Sequence, residues 1–207
     1  MRAGAALSLP ITILLTPIPA IAKTCDAGFA PVIEGPRPLA KRGTGTARYI
    51  LFRVYDAALY TAETNDIDPP ASSTPLCLEI CYHRSLSADV IIEAAEKVLR
   101  RQNDSATLAA MAPQLDQLHR AYRPVDRGDR YRLCRDADAR LTLALNGELL
   151  TTVAGNEISQ RYPDIWLGEK PLSEPLRRDL LGAESEAPPI QQKRRNHLDS
   201  AFSPTGE

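Results

Sequence analysis

The sequence predicts an α+β domain, with helices packed on an antiparallel sheet. Three observations carry this. Strand-like runs at 46–61 and 76–84 precede two helical segments between 87 and 122, and alternating strands at 130–136 and 139–146 precede shorter helices up to residue 182. Strands and helices are therefore grouped rather than alternating one by one, which is the α+β signature. The pair Asn146–Gly147 sits between two such runs and is a strong two-residue hairpin signal. The segment "SADVIIEAAEKVLRRQN" places Ile91, Ile92, Ala95, Val98 and Leu99 on one stripe, as a helix lying on a core requires.

The chain has 207 residues and a net charge of −1, so no overall field favours nucleic acid. Residues 1–22 have a basic start at Arg2, an apolar run and a small-x-small pattern at Ala20 and Ala22. This predicts a signal peptide cleaved before Lys23. The apolar run is short for a spanning helix and Pro10 interrupts it, so no stable membrane span is expected after cleavage. The leader has a bacterial form, and the expected location is the periplasm, or outside the cell. About 185 residues then remain, enough for one domain with a sizeable core. The division is 1–22 signal peptide, 23–182 folded domain and 183–207 a polar, unpatterned, disordered tail.

Residues 23–44 read as irregular, since Pro31, Pro36 and Pro38 block helix. The stretch "GTARYILFRVYDAALYT" at 45–61 reads as one long strand, apolar on both faces, with Arg48, Arg53 and Asp56 set into it. An ion pair between Arg53 and Asp56 is its simplest ionic reading. Four cysteines, Cys25, Cys77, Cys81 and Cys134, suit an oxidising compartment. Cys77 and Cys81 lie about 13 Å apart along a strand, too far to pair with each other. Their partners are Cys25 and Cys134, in an order the sequence leaves open. Zinc-knuckle spacing is missing and histidine is scarce, so no metal and no cofactor is expected.

Asp104 or Ser105 caps a second helix carrying Leu108, Met111, Leu115, Leu118 and Tyr122, with Pro113 a place for a kink or split. "GNEISQRYPDIWLG" reads as helix disturbed near Pro163, with Asn156 as its cap. In "SEPLRRDLLG" Ser173 caps, Pro175 lies in the first turn and Gly182 stops the helix. Trp166 reads as a packing residue. His83 and His119 have no neighbours spaced for a catalytic triad.

Three stretches stand out together: "GTGTARYILFRVYDAALYT", "YRPVDRGDRYRL" at 122–133 and "IWLGEKPLSEPLRRDLLG". As a set they resemble the chalcone isomerase-like proteins, in their bacterial secreted branch. The resemblance covers residues 40–182. It implies an open-faced β-sandwich: a large curved antiparallel sheet, helices on one side and a ligand cleft between them. In plant enzymes of the family a phenolate attacks an unsaturated ketone, and an arginine stabilises the developing enolate. Arg48 matches that arginine. Tyr55 stands at the position of the plant threonine that polarises the ketone, and Ile165 at that of a second polar contact. The plant tyrosine and asparagine on the helix have no motif match, and Asn103 is not a supported equivalent. Other family members are non-catalytic and hold fatty acids, with an arginine and a tyrosine meeting the carboxylate.

The resemblance and the missing polar partners favour a non-catalytic periplasmic protein. Its expected ligand is a small apolar acid or lipid-like molecule, such as a fatty acid. Arg48 and Tyr55 are the candidate ligand contacts, in a cleft lined by Ile50, Leu51, Phe52 and Val54. Strand alternation puts Arg48 and Tyr55 on opposite faces, so a bulge is needed for them to converge. Arg53 shares Tyr55's face by parity and is the rival. One alternative is an isomerase of intramolecular lyase type, with Arg48 as electrophile and Tyr55 as proton donor. Another is an envelope interaction protein with a closed cleft and a large exposed apolar patch.

Overall fold

The computed structural model of the chain describes residues 24–26, 28–62 and 74–182. The expected signal peptide, residues 63–73 and the expected tail lie outside them. The strands are β1 (Val32–Ile33), β2 (Leu39–Tyr49), β3 (Phe52–Thr61), β4 (Leu76–Tyr82), β5 (Arg130–Arg135), β6 (Arg140–Leu145) and β7 (Glu148–Ala154). They form one antiparallel sheet in chain order, β1 to β7. The helices are α1 (Ala88–Gln102), α2 (Ser105–Ala121), α3 (Asn156–Arg161), α4 (Asp164–Leu167) and α5 (Glu174–Leu180).

One face of the sheet carries the main core. Tyr55, Ala57 and Leu59 of β3, Leu78, Ile80 and Tyr82 of β4, and Tyr131 and Leu133 of β5 alternate towards the helices. There they meet Ala95, Val98 and Leu99 of α1, Met111 and Leu118 of α2, and Ile158, Trp166, Leu176 and Leu180 of the C-terminal helices. Each fully buried leucine here contributes about 1.5–3 kcal/mol relative to an exposed one. The α+β expectation holds, and so do the caps at Asp104, which accepts from Thr107 N–H, and Ser173, which accepts from Leu176 N–H; Ser87 caps α1 in the same way, accepting from Val90 N–H.

Among the described residues, no helix covers the other face. Leu39, Ala58, Tyr60 and Cys77 form a smaller cluster there, joined by Phe29, Ile33 and Cys134. The segment from Thr24 to Ile33 straps this face. Cys25 is bonded to Cys81, the Tyr60 hydroxyl donates to Ala30 O at 3.0 Å, and the Arg130 guanidinium stacks on Phe29 at 5.1 Å. Cys77 is bonded to Cys134 on the neighbouring strand. Both bridges obey the exclusion of a Cys77–Cys81 bond. The two-sided burial of β3 therefore has two different causes: helices on one side, and strap and bridges on the other.

Four expectations need correction. The run 46–61 is not one strand. It is the end of β2, a turn at Ile50–Leu51, and β3. An apolar turn gave no breaker signal. Residues 23–44 are less irregular than expected, because β1 and most of β2 fall partly within them; Pro36 and Pro38 stop short of Leu39 and leave the ladder intact. Pro113 does not split the second helix, which runs without interruption as α2. The α3 cap is Gly155, at φ 149, and Asn156 is the first helical residue.

The glycines of "GTGT" have a packing reason. A Cβ on Gly43 would stand 2.2 Å from Asp179 O and 2.5 Å from Leu180 O, and one on Gly45 would stand 2.9 Å from Leu176 Cδ1. The bare backbone of β2 is what lets α5 lie directly on it.

Candidate functional site

The β2–β3 hairpin positions all three residues singled out from the sequence. Ala47 pairs with Tyr55, but Arg48 pairs with Arg53, so the register slips by one residue between them. That slip has the opposite effect from the one a shared site would need. Tyr55 stays on the helix side, while Arg53 turns to the other side and donates to both carboxylate oxygens of Asp56, at 3.1 and 2.9 Å. The expected shared face of Arg53 and Tyr55 is thus undone by the bulge. Arg48, exposed beside it, makes no hydrogen bond or ion pair among the described residues. Ile50, Leu51 and Phe52, expected to line a cleft, are instead exposed at the hairpin tip.

Tyr55 is buried in the main core, and its hydroxyl accepts a hydrogen bond from Trp166 Nε1 at 3.1 Å. Burial pushes the phenol pKa up to about 12, although the indole bond pulls the other way. At neutral pH the group is a neutral phenol. Trp166 has the packing role expected of it and in addition satisfies this hydroxyl.

Tyr55 opens a chain of aromatic rings between sheet and helices. Its centroid is 5.8 Å from Tyr82, Tyr82 is 6.2 Å from Tyr131, and Tyr131 is 5.1 Å from Tyr122. Tyr162 is 6.5 Å from Trp166, and its hydroxyl donates to the Tyr122 hydroxyl at 3.1 Å. Burial raises the pKa of Tyr82, Tyr122 and Tyr162. Of this chain only Tyr55 was singled out from the sequence as a ligand contact, while Tyr122 and Trp166 were read as packing residues. The members other than Tyr55 lie on β4, β5 and α4 and just past the ends of α2 and α3, and no local spacing connects them. Ile165, at the position of a polar contact in plant enzymes, is buried in the same core.

On the opposite face Asp56 gathers polar groups. It accepts from Thr46 Oγ1 at 2.7 Å and from Arg53, and His83 Nε2 lies 2.8 Å from its other oxygen. Burial alone would raise its pKa, but the bonds from Thr46, His83 and Arg53 outweigh this and hold it below the usual carboxylate value. The expected Arg53–Asp56 ion pair is present. Asp56 and Tyr55 are adjacent in sequence and face opposite sides of the sheet, so they form no acid–base pair.

Two cavities lie away from the hairpin. One, of about 300 Å³, opens between α1 and α2 over Leu99, Leu108 and Leu115, with Glu96 and His119 at its edge. The other, of about 500 Å³, lies on the strapped face over Glu79, Arg130 and Arg132. Its arginines are engaged with Glu79, at 2.8 and 2.6 Å. Among the described residues no cluster of His, Cys, Asp or Glu has metal-binding geometry, and no helix is long and apolar enough to cross a membrane.

Sheet, helices and aromatic interior define an α+β protein of the open-faced sandwich class. The family model described as chalcone isomerase-like matches residues 32–182, and the chain belongs to that family. Among solved structures it is similar to an Arabidopsis thaliana fatty-acid binding protein, at 15% identity and a TM-score of 0.60. The match covers 75% of this chain and 91% of that one. It shows the shared fold, a curved antiparallel sheet with helices. A comparison with curated proteins finds no match.

Proposed function

We propose that the protein is a non-catalytic member of its family that binds a small apolar acid or lipid-like molecule in the cell envelope. The observation that carries this reading is the state of Tyr55. A phenol held near pKa 12, bonded to Trp166 and turned away from Arg48, is poorly suited to give or take a proton during turnover. The isomerase reading needs Arg48 and Tyr55 to meet one substrate oxygen, and the hairpin register works against it. The fatty-acid binding protein of the same fold is a precedent for ligand binding on this fold.

Arg48 is the proposed carboxylate contact. Arg53 is the weaker candidate because Asp56 already engages it. Tyr55, which faces the helix side with its hydroxyl committed to Trp166, is likewise a weaker proposed contact, since the register turns it away from Arg48. The two disulfides suit the oxidising periplasm that we infer as the location. A fluorescent fatty-acid probe tests the reading. Wild type is expected to bind it, and Arg48→Ala to bind about tenfold more weakly, the usual scale for losing a charge-assisted hydrogen bond. Equal binding by both proteins would remove Arg48 from the site. Turnover of an unsaturated ketone lost on Arg48→Ala would restore the isomerase.

A second reading is favoured by a separate observation: Tyr49, Ile50, Leu51 and Phe52 form a contiguous exposed apolar patch. Such a patch marks an interaction surface. Binding in the interior and docking at the tip are compatible functions.

A further inference from the structure

The tip of the β2–β3 hairpin is built against the chemistry of a solvent-facing turn. Tyr49, Ile50, Leu51 and Phe52 are 68%, 76%, 84% and 63% exposed. Ile50 takes φ 56, a left-handed conformation that a β-branched side chain adopts only at a cost. The β6–β7 hairpin of the same sheet shows the ordinary solution, with Asn146 at φ 53 and Gly147 at φ 87. Polar turn residues would relieve both the strain and the exposure at Ile50–Leu51. Folding alone therefore gives no reason for the apolar tip.

The charges around the tip are of one sign. Arg48 and Arg53 close the two strands below it, and no acidic residue lies between them. Arg84, from the segment after β4, holds its guanidinium carbon 6.0 Å from the Phe52 ring centroid. Arg53 is neutralised by Asp56. Arg48 and Arg84 make no ion pair among the described residues.

We propose that this hairpin docks the protein on an anionic lipid surface. Ile50 and Leu51 enter the boundary of the acyl chains. Tyr49 and Phe52 sit at headgroup depth, where aromatic rings are favoured. Arg48 and Arg84 meet lipid phosphates, each adding to the attraction of an anionic leaflet. The protein rests on the membrane and does not span it. A fluid apolar medium suits four protruding side chains that lack directional polar partners. A second copy of the chain suits them less, because tip-to-tip contact would bring the arginines of both copies together. The apolar tip and Arg84 play no part in the ligand site proposed above; Arg48 is the one residue assigned to both, and the variants tested leave it in place.

Co-sedimentation with vesicles tests it. One set is an equal mixture of phosphatidylglycerol and phosphatidylcholine, the other phosphatidylcholine alone. Wild type is compared with Ile50→Ser/Leu51→Ser and with Arg84→Gln, all with the same N-terminus, so that any contribution of residues 1–22 cancels. The substituted side chains are exposed, and thermal melts check that each variant is folded. We expect wild type to bind the phosphatidylglycerol vesicles. The double variant should bind about a hundredfold more weakly, near tenfold per apolar side chain withdrawn from water. Arg84→Gln should bind several-fold more weakly, and added salt should weaken the wild type in the same sense. Equal binding by wild type and the folded double variant would overturn the proposal. So would absence of binding to phosphatidylglycerol, or a wild-type dimer in sedimentation that the double variant abolishes while vesicle binding stays absent. Loss of the fatty-acid probe with vesicle binding intact would count against the interior site alone.

Discussion

The Tyr55 hydroxyl is where the catalytic and binding readings part. Its bond from Trp166 is buried, so each group depends on the other for satisfaction. Tyr55→Phe should leave the indole N–H without its acceptor and cost about 1–3 kcal/mol. Chemical denaturation measures this, and an unchanged midpoint would mean that the bond contributes nothing. Asp56 makes a second prediction at this scale. Its pKa is lowered in the fold, so its contribution is present above the unfolded carboxylate value, near 3.9, and is lost as pH falls through the lower folded value. His119 acts over a higher range. Desolvation lowers its pKa although Glu96 and Asp116 oppose it, so the fold favours the neutral ring. Stability should therefore decline as pH falls below about 6.5. Melts of wild type and His119→Gln across that range test this, and the variant should show the smaller decline.

At the scale of elements, α5 on β2 is the sharpest case. The predicted contact of a Cβ at Gly43 is with backbone carbonyl oxygens, which cannot swing aside as a flexible side chain would. Gly43→Ala should cost about 1–3 kcal/mol, as overpacking commonly does. A neutral substitution would show that α5 shifts freely. The two hairpins show what the sequence reveals about elements and what it hides. Asn146–Gly147 announces its turn because these residues adopt positive φ readily. Ile50–Leu51 conceals one, because both residues look like strand and Ile50 is held at φ 56 by the register on either side. Helix starts were legible at two of the side-chain caps, Asp104 and Ser173. They were misread at Gly155, where no side chain caps.

At the scale of the molecule, the sheet is held from both sides. The helices bury the larger core, and the strap from Thr24 is fixed through Cys25–Cys81, while Cys77–Cys134 joins two adjacent strands. Cys25→Ser/Cys81→Ser should cost about 2–4 kcal/mol, the usual scale for a native bridge, and should release the strap without dissolving the main core. Denaturant midpoints and proteolysis near Phe29 check this. The exclusion of a Cys77–Cys81 bond was available from strand geometry. The pairing itself depends on the strap and on strand order, which local sequence does not encode. The candidate site was legible only in part for a similar reason. The arginine motif marks Arg48, but its exposure and its separation from Tyr55 arise from a one-residue slip in the ladder. The aromatic interior joins residues far apart in the chain.

The central claim is that this fold holds an apolar acid with an arginine at its polar end and performs no turnover. Native mass spectrometry of the protein purified from its host envelope, with Arg48→Ala alongside, tests it most directly. The account predicts a co-purifying small acid or lipid in the wild type that is lost or sharply reduced in the variant. A wild-type protein that carries no ligand, or one whose ligand is retained equally by Arg48→Ala, would contradict it.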